Sequence, residues 1–231
     1  MRETEPIPIT IEYRLTEEGA EILRLHGRAA EIRIPECIAG VPVASIAERA
    51  FAVQAEVPET DAEERPALLS FSTEGAEPAE KEQPLKRLFL PDTVRHIGAY
   101  AFAGCSALEH LHLPEELSLL PEHALDGCAA LKRLSLPAGL EEIGSYAFGE
   151  SSIQSVTIPK SVRSIGMCAF RDCENLTSVT FQDREDAVGI ELNIFHCCPN
   201  IANVTIPRCM AGIAIALFED TLWLKNLGEF A

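Results

Sequence analysis

The chain has 231 residues, of which 47% are hydrophobic and 24% charged, so it can bury a substantial core as one domain. Its 19 basic and 36 acidic residues give a formal net charge of −17, which disfavours nucleic acid and anionic membranes as partners of the whole surface. No run approaches the roughly 20 consecutive apolar residues that cross a bilayer. We therefore expect neither nucleic-acid binding nor membrane insertion.

The N-terminal stretch lacks the basic and apolar regions and the cleavage site of a secretory signal. If the chain is full length, we expect a cytoplasmic protein; if a signal has been removed, we expect a cell-surface or secreted one. The segments ITIEYRL (9–15) and AEILRLH (20–26), joined by TEEG, predict a β-hairpin. We expect residues 1–27 to cap the first repeat, because an exposed strand edge pairs readily with other chains.

An irregular first copy of a repeat, IRIPECIAGVPVASIAERAF (32–51), is followed by an interruption at residues 53–84. The interruption is rich in Glu, Ala and Pro, a composition that predicts a mobile, acidic loop. Within it, the apolar segment ALLSF (67–71) either docks on the coil or on a partner, or belongs to the same mobile excursion. The composition favours the second interpretation.

Residues 85–200 repeat one pattern, LxxLxLPxxLxxIGxxAFxxC, at a period of 22 to 25 residues. The copies are LKRLFLPDTVRHIGAYAFAGCSA (85–107), LEHLHLPEELSLLPEHALDGCAA (108–130), LKRLSLPAGLEEIGSYAFGESS (131–152), IQSVTIPKSVRSIGMCAFRDCEN (153–175) and LTSVTFQDREDAVGIELNIFHCCPN (176–200). With the irregular first copy and a partial last one, IANVTIP (201–207), residues 28–207 hold about seven repeats.

The LxL part of each repeat alternates with period two and predicts a short strand, which the following proline ends. The glycine of each IG pair suits a tight bend where a side chain would not fit. Each repeat buries its apolar residues only against its neighbours, so the strands must stack in parallel. One repeat position is expected to form a continuous inner spine, made by Phe51, Phe102, Leu125, Phe148, Phe170 and Phe195.

After the repeats, residues 208–231 are expected to close the other end. The segment AIALFEDTLWLKNLGEF (214–230) carries apolar residues at near-helical spacing, which predicts a capping helix.

The repeat pattern resembles the BspA-like, or Treponema pallidum type, leucine-rich repeat over roughly residues 28–207. The resemblance implies an α/β solenoid, a right-handed coil with one short parallel strand per repeat, an N-terminal β-hairpin cap and a C-terminal helical cap. It also implies a binding protein, frequently one that acts in adhesion at a bacterial cell surface.

In such a coil the residues between the inward leucines form two columns on the concave face. The first column is Glu31, Arg87, His110, Arg133, Ser155, Ser178 and Asn203. The second column is Arg33, Phe89, His112, Ser135, Thr157, Thr180 and Thr205. Because neighbouring strands lie about 4.8 Å apart, we expect two continuous ladders of side chains.

The N-terminal half of these ladders is basic and aromatic, although the whole chain is acidic. Arginine and aromatic residues are enriched at binding hot spots, and like charges on facing strands destabilise a sheet. We therefore predict that an acidic protein segment or another anionic ligand binds here. The predicted contacts are Arg33, Arg87, Phe89, His110, His112 and Arg133. The alternative, of similar weight, is that these are solvated sheet residues partly neutralised by Glu31 and Glu109.

The histidines and cysteines predict no metal site and no cofactor. Cys105, Cys128 and Cys173 recur at an inward position, where thiols act as small hydrophobes. A Cys105–Cys128 disulfide is conceivable only in an oxidising compartment. The HCC run (196–198) lacks the CxxC spacing of zinc sites, and His110 with His112 gives only two ligands.

Three classes of function follow from these observations. A non-enzymatic scaffold that binds a protein or peptide on the concave face agrees best with a solenoid. Recognition of a carbohydrate or cell-wall polymer is the alternative, but only Phe89 offers an aromatic platform on that face. An enzyme is not expected, because the chain has no GxSxG, no HExxH and no glycine-rich phosphate loop.

Overall fold

The computed structural model describes residues 9–27, 29–52, 67–71, 84–219 and 221–228. Its strands are β1 (Ile9–Leu15), β2 (Ala20–His26), β3 (Glu31–Arg33), β4 (Cys37–Ile38), β5 (Val41–Ile46), β6 (Ala67–Phe71), β7 (Arg87–Phe89), β8 (His96–Ile97), β9 (His110–His112), β10 (Leu119–Leu120), β11 (Glu142–Ile143), β12 (Ser155–Ile158), β13 (Ser164–Ile165), β14 (Ser178–Phe181), β15 (Gly189–Ile190) and β16 (Asn203–Thr205). A 3-10 helix (Arg208–Ile213) leads into α1 (Ala214–Leu217), and α2 (Leu222–Gly228) follows. None of the helices in these ranges is long and apolar enough to span a membrane.

The N-terminal end of the stack is closed by the predicted hairpin. Strands β1 and β2 pair antiparallel, and the N–H of Thr16 donates to the Gly19 carbonyl in the turn between them. On its other side β2 pairs in parallel with β5, which belongs to the first repeat. The hairpin thus covers the open edge of β5, as expected for a cap on the first repeat.

One part of the interruption is ordered against this cap. Strand β6, the ALLSF segment, pairs antiparallel with β1 from Tyr13↔Ala67 to Ile9↔Phe71. The interpretation of this segment as part of a mobile excursion is therefore wrong, since its backbone docks on the hairpin. The mobile loop predicted for the remainder falls on residues 53–66 and 72–83, outside the described residues.

The repeats stack as a β-solenoid of parallel strands, which confirms the predicted fold class. Each regular coil contributes a first strand, from its LxL segment, to one surface, which we call the first-strand face. The first strands pair in the orders β3-β7-β9 and β12-β14-β16. The structure adds a second strand to the coils, two residues long except for the six-residue β5, and these strands pair as β5-β8 and β10-β11-β13-β15.

The core lies between these two rows of strands and is closed by the predicted spine. Phe102, Phe148 and Phe170 are fully buried, and the Phe148 and Phe170 rings stack with centroids 4.7 Å apart. The stack continues from Phe170 to Phe195 at 5.3 Å. Leu125 is buried at the same position of the 108–130 coil, where it interrupts the run of rings.

The IG glycines are required by the neighbouring coil rather than by their own backbone angles. A Cβ atom on Gly144 would lie 2.5 Å from the backbone nitrogen of Glu122, and one on Gly98 would lie 2.3 Å from that of Glu48. These close approaches let the Gly144 N–H donate to the Leu120 carbonyl at 2.7 Å. The glycine therefore sets the spacing between consecutive coils.

The strand pairing in the stack is divided at the 108–130 coil, which holds Pro121 where the 85–107, 131–152 and 153–175 coils have the glycine, while hydrogen bonds at the bend, such as that from Phe102 N–H to the Ala124 carbonyl, still join the coils. A proline has no N–H, so the hydrogen bond to the coil before it cannot form, and β8 and β10 are not paired. On the first-strand face the break falls one coil later, because residues 131–137 form no strand. The 108–130 coil thus pairs backward through β9 and forward through β10.

The C-terminal cap differs in detail from the single predicted helix. Two short helices flank a turn at Phe218, whose ring stacks on Phe195 at 5.1 Å and extends the spine by one position. The Trp223 ring packs edge-on against Phe218, and the backbone N–H of Trp223 donates to the Ile201 carbonyl at 2.7 Å. The turn between the two helices thus places one ring of the cap at the position of a repeat phenylalanine.

We predict that Phe148→Ala lowers the free energy of unfolding by about 3–5 kcal/mol, because it leaves a cavity in the fully buried spine. Met167→Ala is a matched control at a side chain that is 41% exposed, with an expected change within roughly 0.5 kcal/mol. Urea unfolding of the two variants beside the wild type measures both values. If both variants lost a similar amount of unfolding free energy, the phenylalanine spine would not be a main source of stability.

Gly144→Ala is predicted to destabilise the fold by about 1–3 kcal/mol, because the new methyl group would meet the backbone of the upstream coil. Gly139→Ala is the control, since its Cβ would come no closer than 3.7 Å to the Glu115 carbonyl oxygen. Thermal unfolding followed by circular dichroism compares them. A Gly144→Ala protein as stable as the control would show that the coils are not held by this contact.

Candidate binding face

The first-strand face carries the six residues predicted to bind. Strand pairing aligns Glu31 with Arg87 and then His110, and it aligns Arg33 with Phe89 and then His112. Downstream, Ser155–Ser178–Asn203 and Thr157–Thr180–Thr205 align in the same way. The expectation of two continuous ladders is wrong at residues 131–137, which join neither sheet, so Arg133 lies in the gap between the two sheets.

The two N-terminal arginines share one carboxylate as their ion-pair partner. The Oε1 atom of Glu31 lies 2.9 Å from Nη2 of Arg33, and the Oε2 atom of Glu31 lies 2.9 Å from Nε of Arg87. The guanidinium of Arg33 also lies over the Phe89 ring, 3.9 Å from its centroid. Arg33, Arg87 and Phe89 were interpreted either as binding residues or as ordinary sheet residues. Their contacts with one another and with Glu31 favour the second interpretation.

The positive charge further along the face has fewer partners. Among the described residues, His110, Lys132 and Arg133 form no ion pair, and all three are exposed. His112 has one partner at longer distance, since its Nε2 atom lies 3.5 Å from an Asp92 oxygen. Among the first-strand segments, those of the 108–130 and 131–152 coils therefore hold the basic side chains without a partner, although Lys160, Arg208 and Lys225 elsewhere also form no ion pair with a described residue.

Sequence reasoning missed Lys132. The columns were chosen from the residues between the inward leucines, and Lys132 precedes them. It is nevertheless exposed beside Arg133. The dipeptide Lys-Arg occurs at the same position in the 85–107 and 131–152 coils, which is the signal that could have found it. In the first of these coils Lys86 pairs with Glu109 at 3.5 Å, whereas Lys132 has no such carboxylate among the described residues.

The inward cysteines have a structural role. The thiols of Cys105, Cys128, Cys173 and Cys198 each donate to a phenylalanine carbonyl of the preceding coils, at 3.2, 3.4, 3.0 and 2.9 Å. Burial raises the pKa of Cys105 to about 12 and also raises the pKa of Cys128. All of them are free thiols, so Cys105 and Cys128 are not joined. In the HCC run Cys198 points inward while His196 is exposed, so these side chains do not converge.

A second feature that sequence reasoning missed is a stack of rings at the bend of the coils. His123 lies between Tyr100 and Tyr146, with centroid distances of 4.5 and 4.7 Å and nearly parallel rings. All three residues have a left-handed backbone, with φ of 51–58°, and each N–H donates to the next coil. The Nδ1 atom of His123 lies 2.7 Å from an Asp126 oxygen. Since His123 covers one face of each tyrosine, the stack holds neighbouring coils together rather than offering an open platform.

In the part of the chain that the structure describes, no group of three or more His, Cys, Asp or Glu side chains could hold a metal ion. The exposed side chains of the first-strand face are cationic, aromatic and hydroxyl-bearing, and they lie on a surface rather than in an enclosed cavity wall. Their chemistry is that of recognition by hydrogen bonds and charge.

The BspA type leucine-rich repeat region matches residues 80–152 and 141–227 in six copies, which together cover more than half of the chain. Among solved structures, the chain is similar to a T. pallidum leucine-rich repeat protein, with 29% identity and a TM-score of 0.65 over 86% of this chain and 80% of that one. A leucine-rich repeat protein from Bacteroides ovatus shares the fold, with 24% identity and a TM-score of 0.63 over 90% of this chain.

The chain spans about half the length of the B. ovatus protein, 48% of which is covered. None of the curated proteins matches this chain. Six matched copies, parallel stacking and the two structural likenesses agree with one another, and the chain therefore belongs to the BspA-type leucine-rich repeat family.

Proposed function

We propose that the protein is a non-enzymatic scaffold that binds an acidic protein or peptide segment on its first-strand face. Repeat solenoids offer long surfaces built from many short strands, and such surfaces suit extended partners. The family match supports a role in interaction at this general level.

One observation carries the proposal. His110, Lys132 and Arg133 are exposed together and form no ion pair with any described residue, in a chain of net charge −17. The other basic side chains of this face do have a carboxylate, as Arg87 does with Glu31. A cation left free on the face of a sheet is available to a carboxylate of a partner.

The aromatic contacts argue against carbohydrate recognition. Sugar rings stack on open aromatic faces, and Phe89 was the one candidate platform on this surface. The guanidinium of Arg33 covers one face of Phe89, and the tyrosines of the ring stack each have a face against His123. The rings are used within the protein, which supports a protein partner over a polysaccharide.

The proposal is tested by charge reversal on one face. We expect a His110→Ala, Lys132→Glu, Arg133→Glu variant to bind its partner about tenfold more weakly or worse, because each lost charge-assisted hydrogen bond is worth roughly 1.5–3 kcal/mol. The partner is first captured from lysate and spent medium of the source cell with immobilised wild-type protein, and its affinity for each variant is then measured by calorimetry.

The matched control is His96→Ala, Arg95→Glu, Arg163→Glu, which makes the same charge change around the second strands β8 and β13. Partner binding retained by the control and lost by the first-strand variant supports the proposal. Equal binding to both variants would remove the first-strand face from the function.

A further inference from the structure

The most unusual part of the first-strand face is the gap around residues 131–137. The N–H groups of Arg133, Leu134 and Ser135 have no hydrogen-bond acceptor among the described residues. In the coils on either side, the corresponding residues belong to β9 and β12 and are bonded to a neighbouring strand. The gap therefore leaves backbone donors free on an otherwise paired sheet surface.

The gap also opens the core slightly. Leu134 and Leu136 are only partly buried, whereas the equivalent Leu88 is fully buried and Val156 is 3% exposed. Part of each leucine side chain is thus accessible from the surface. Apolar surface of this kind can bury one side chain of a ligand.

The charged residues within the 131–137 segment are both basic. Arg133 and Lys132 lie within the segment itself, and His110 lies on the facing β9 strand. The carboxylates nearest along the face are already engaged, since Glu31 binds Arg33 and Arg87 and Glu109 lies 3.5 Å from Lys86. The gap therefore combines free N–H donors, a guanidinium and accessible leucine in one place.

These three properties define one class of ligand. A carboxylate is matched by the forked donors of a guanidinium and by free backbone N–H groups. An extended peptide gains main-chain hydrogen bonds where a sheet is left unpaired, and its neighbouring apolar side chain finds the exposed leucines. A free anion such as phosphate would use the charge but not the leucines.

We propose that the gap at residues 131–137 is the anchoring point for an extended acidic peptide. A Glu or Asp side chain of the peptide binds Arg133, and an adjacent apolar side chain packs on Leu134 and Leu136. This inference rests on the proposed function and assigns its partner class and the place where the partner is held.

The experiment is selection of a random peptide library displayed on phage against the full chain and against two variants, Arg133→Gln and Arg163→Gln. Arg163 is the matched control, because it is exposed and its nearest carboxylate, on Glu141, lies 3.9 Å away. We expect the wild type and Arg163→Gln to enrich peptides with Asp or Glu beside an apolar residue. Arg133→Gln is expected to lose this enrichment.

One selected peptide is then synthesised with its acidic residues intact and with each replaced by Asn or Gln. The replacement is expected to weaken binding to the wild type about tenfold or more, since it removes the charge-assisted contact. Nuclear magnetic resonance of the isotope-labelled chain maps the site, and the amide signals of Arg133, Leu134 and Ser135 are expected to shift on binding.

Two results would overturn the anchoring point in different ways. In the first, acidic peptides shift the signals of β7 and β9 but not those of residues 133–135, and they bind Arg133→Gln as tightly as the wild type. The gap would then not be the anchoring point, while the proposed function would still hold. Selection without any enrichment of acidic residues would exclude the acidic partner, and with it both proposals.

Discussion

The structure depends on the fit of each coil against the next. A single repeat exposes its apolar face and its backbone N–H and C=O groups, and only a neighbour in register can cover the first and bond the second. The stacked rings of Phe148 and Phe170 and the close backbone approach at Gly166 act at the same interface. The buried thiols add a further bond from coil to coil, as when Cys173 donates to the Phe148 carbonyl.

This constraint explains why small departures in one coil have visible effects. The 108–130 coil has Leu125 in the spine and Pro121 in place of the glycine, so it loses a ring contact and a hydrogen-bond donor. Its neighbours are then held by other means, including the Tyr100–His123–Tyr146 ring stack. The division of the strand pairing lies beside His110, Lys132 and Arg133, so the gap and these basic side chains occur at one place.

Much of the architecture could be predicted from the sequence because the repeats are nearly in register. The strand alignment of Arg87 with His110, and of Ser155 with Ser178, follows directly from counting positions between leucines. The gap could not be predicted in this way, since Arg133 and Leu134 fit the repeat pattern and differ only in the hydrogen bonds that their neighbours allow. The ion pairs could not be predicted either. Arg87 and Arg133 hold the same repeat position, but Glu31 pairs with Arg87 and not with Arg133. The docking of ALLSF on β1 depends on a pairing between distant segments, which composition does not report.

Residue-resolved amide hydrogen exchange tests the division of the stack most directly. We expect the amides of Leu134 and Ser135 to exchange far faster than those of Val156 and Thr180, which lie at the matching positions inside paired strands. Comparable protection at all four amides would show that residues 131–137 are bonded into a continuous sheet. The gap, and the site assigned to it, would then be contradicted.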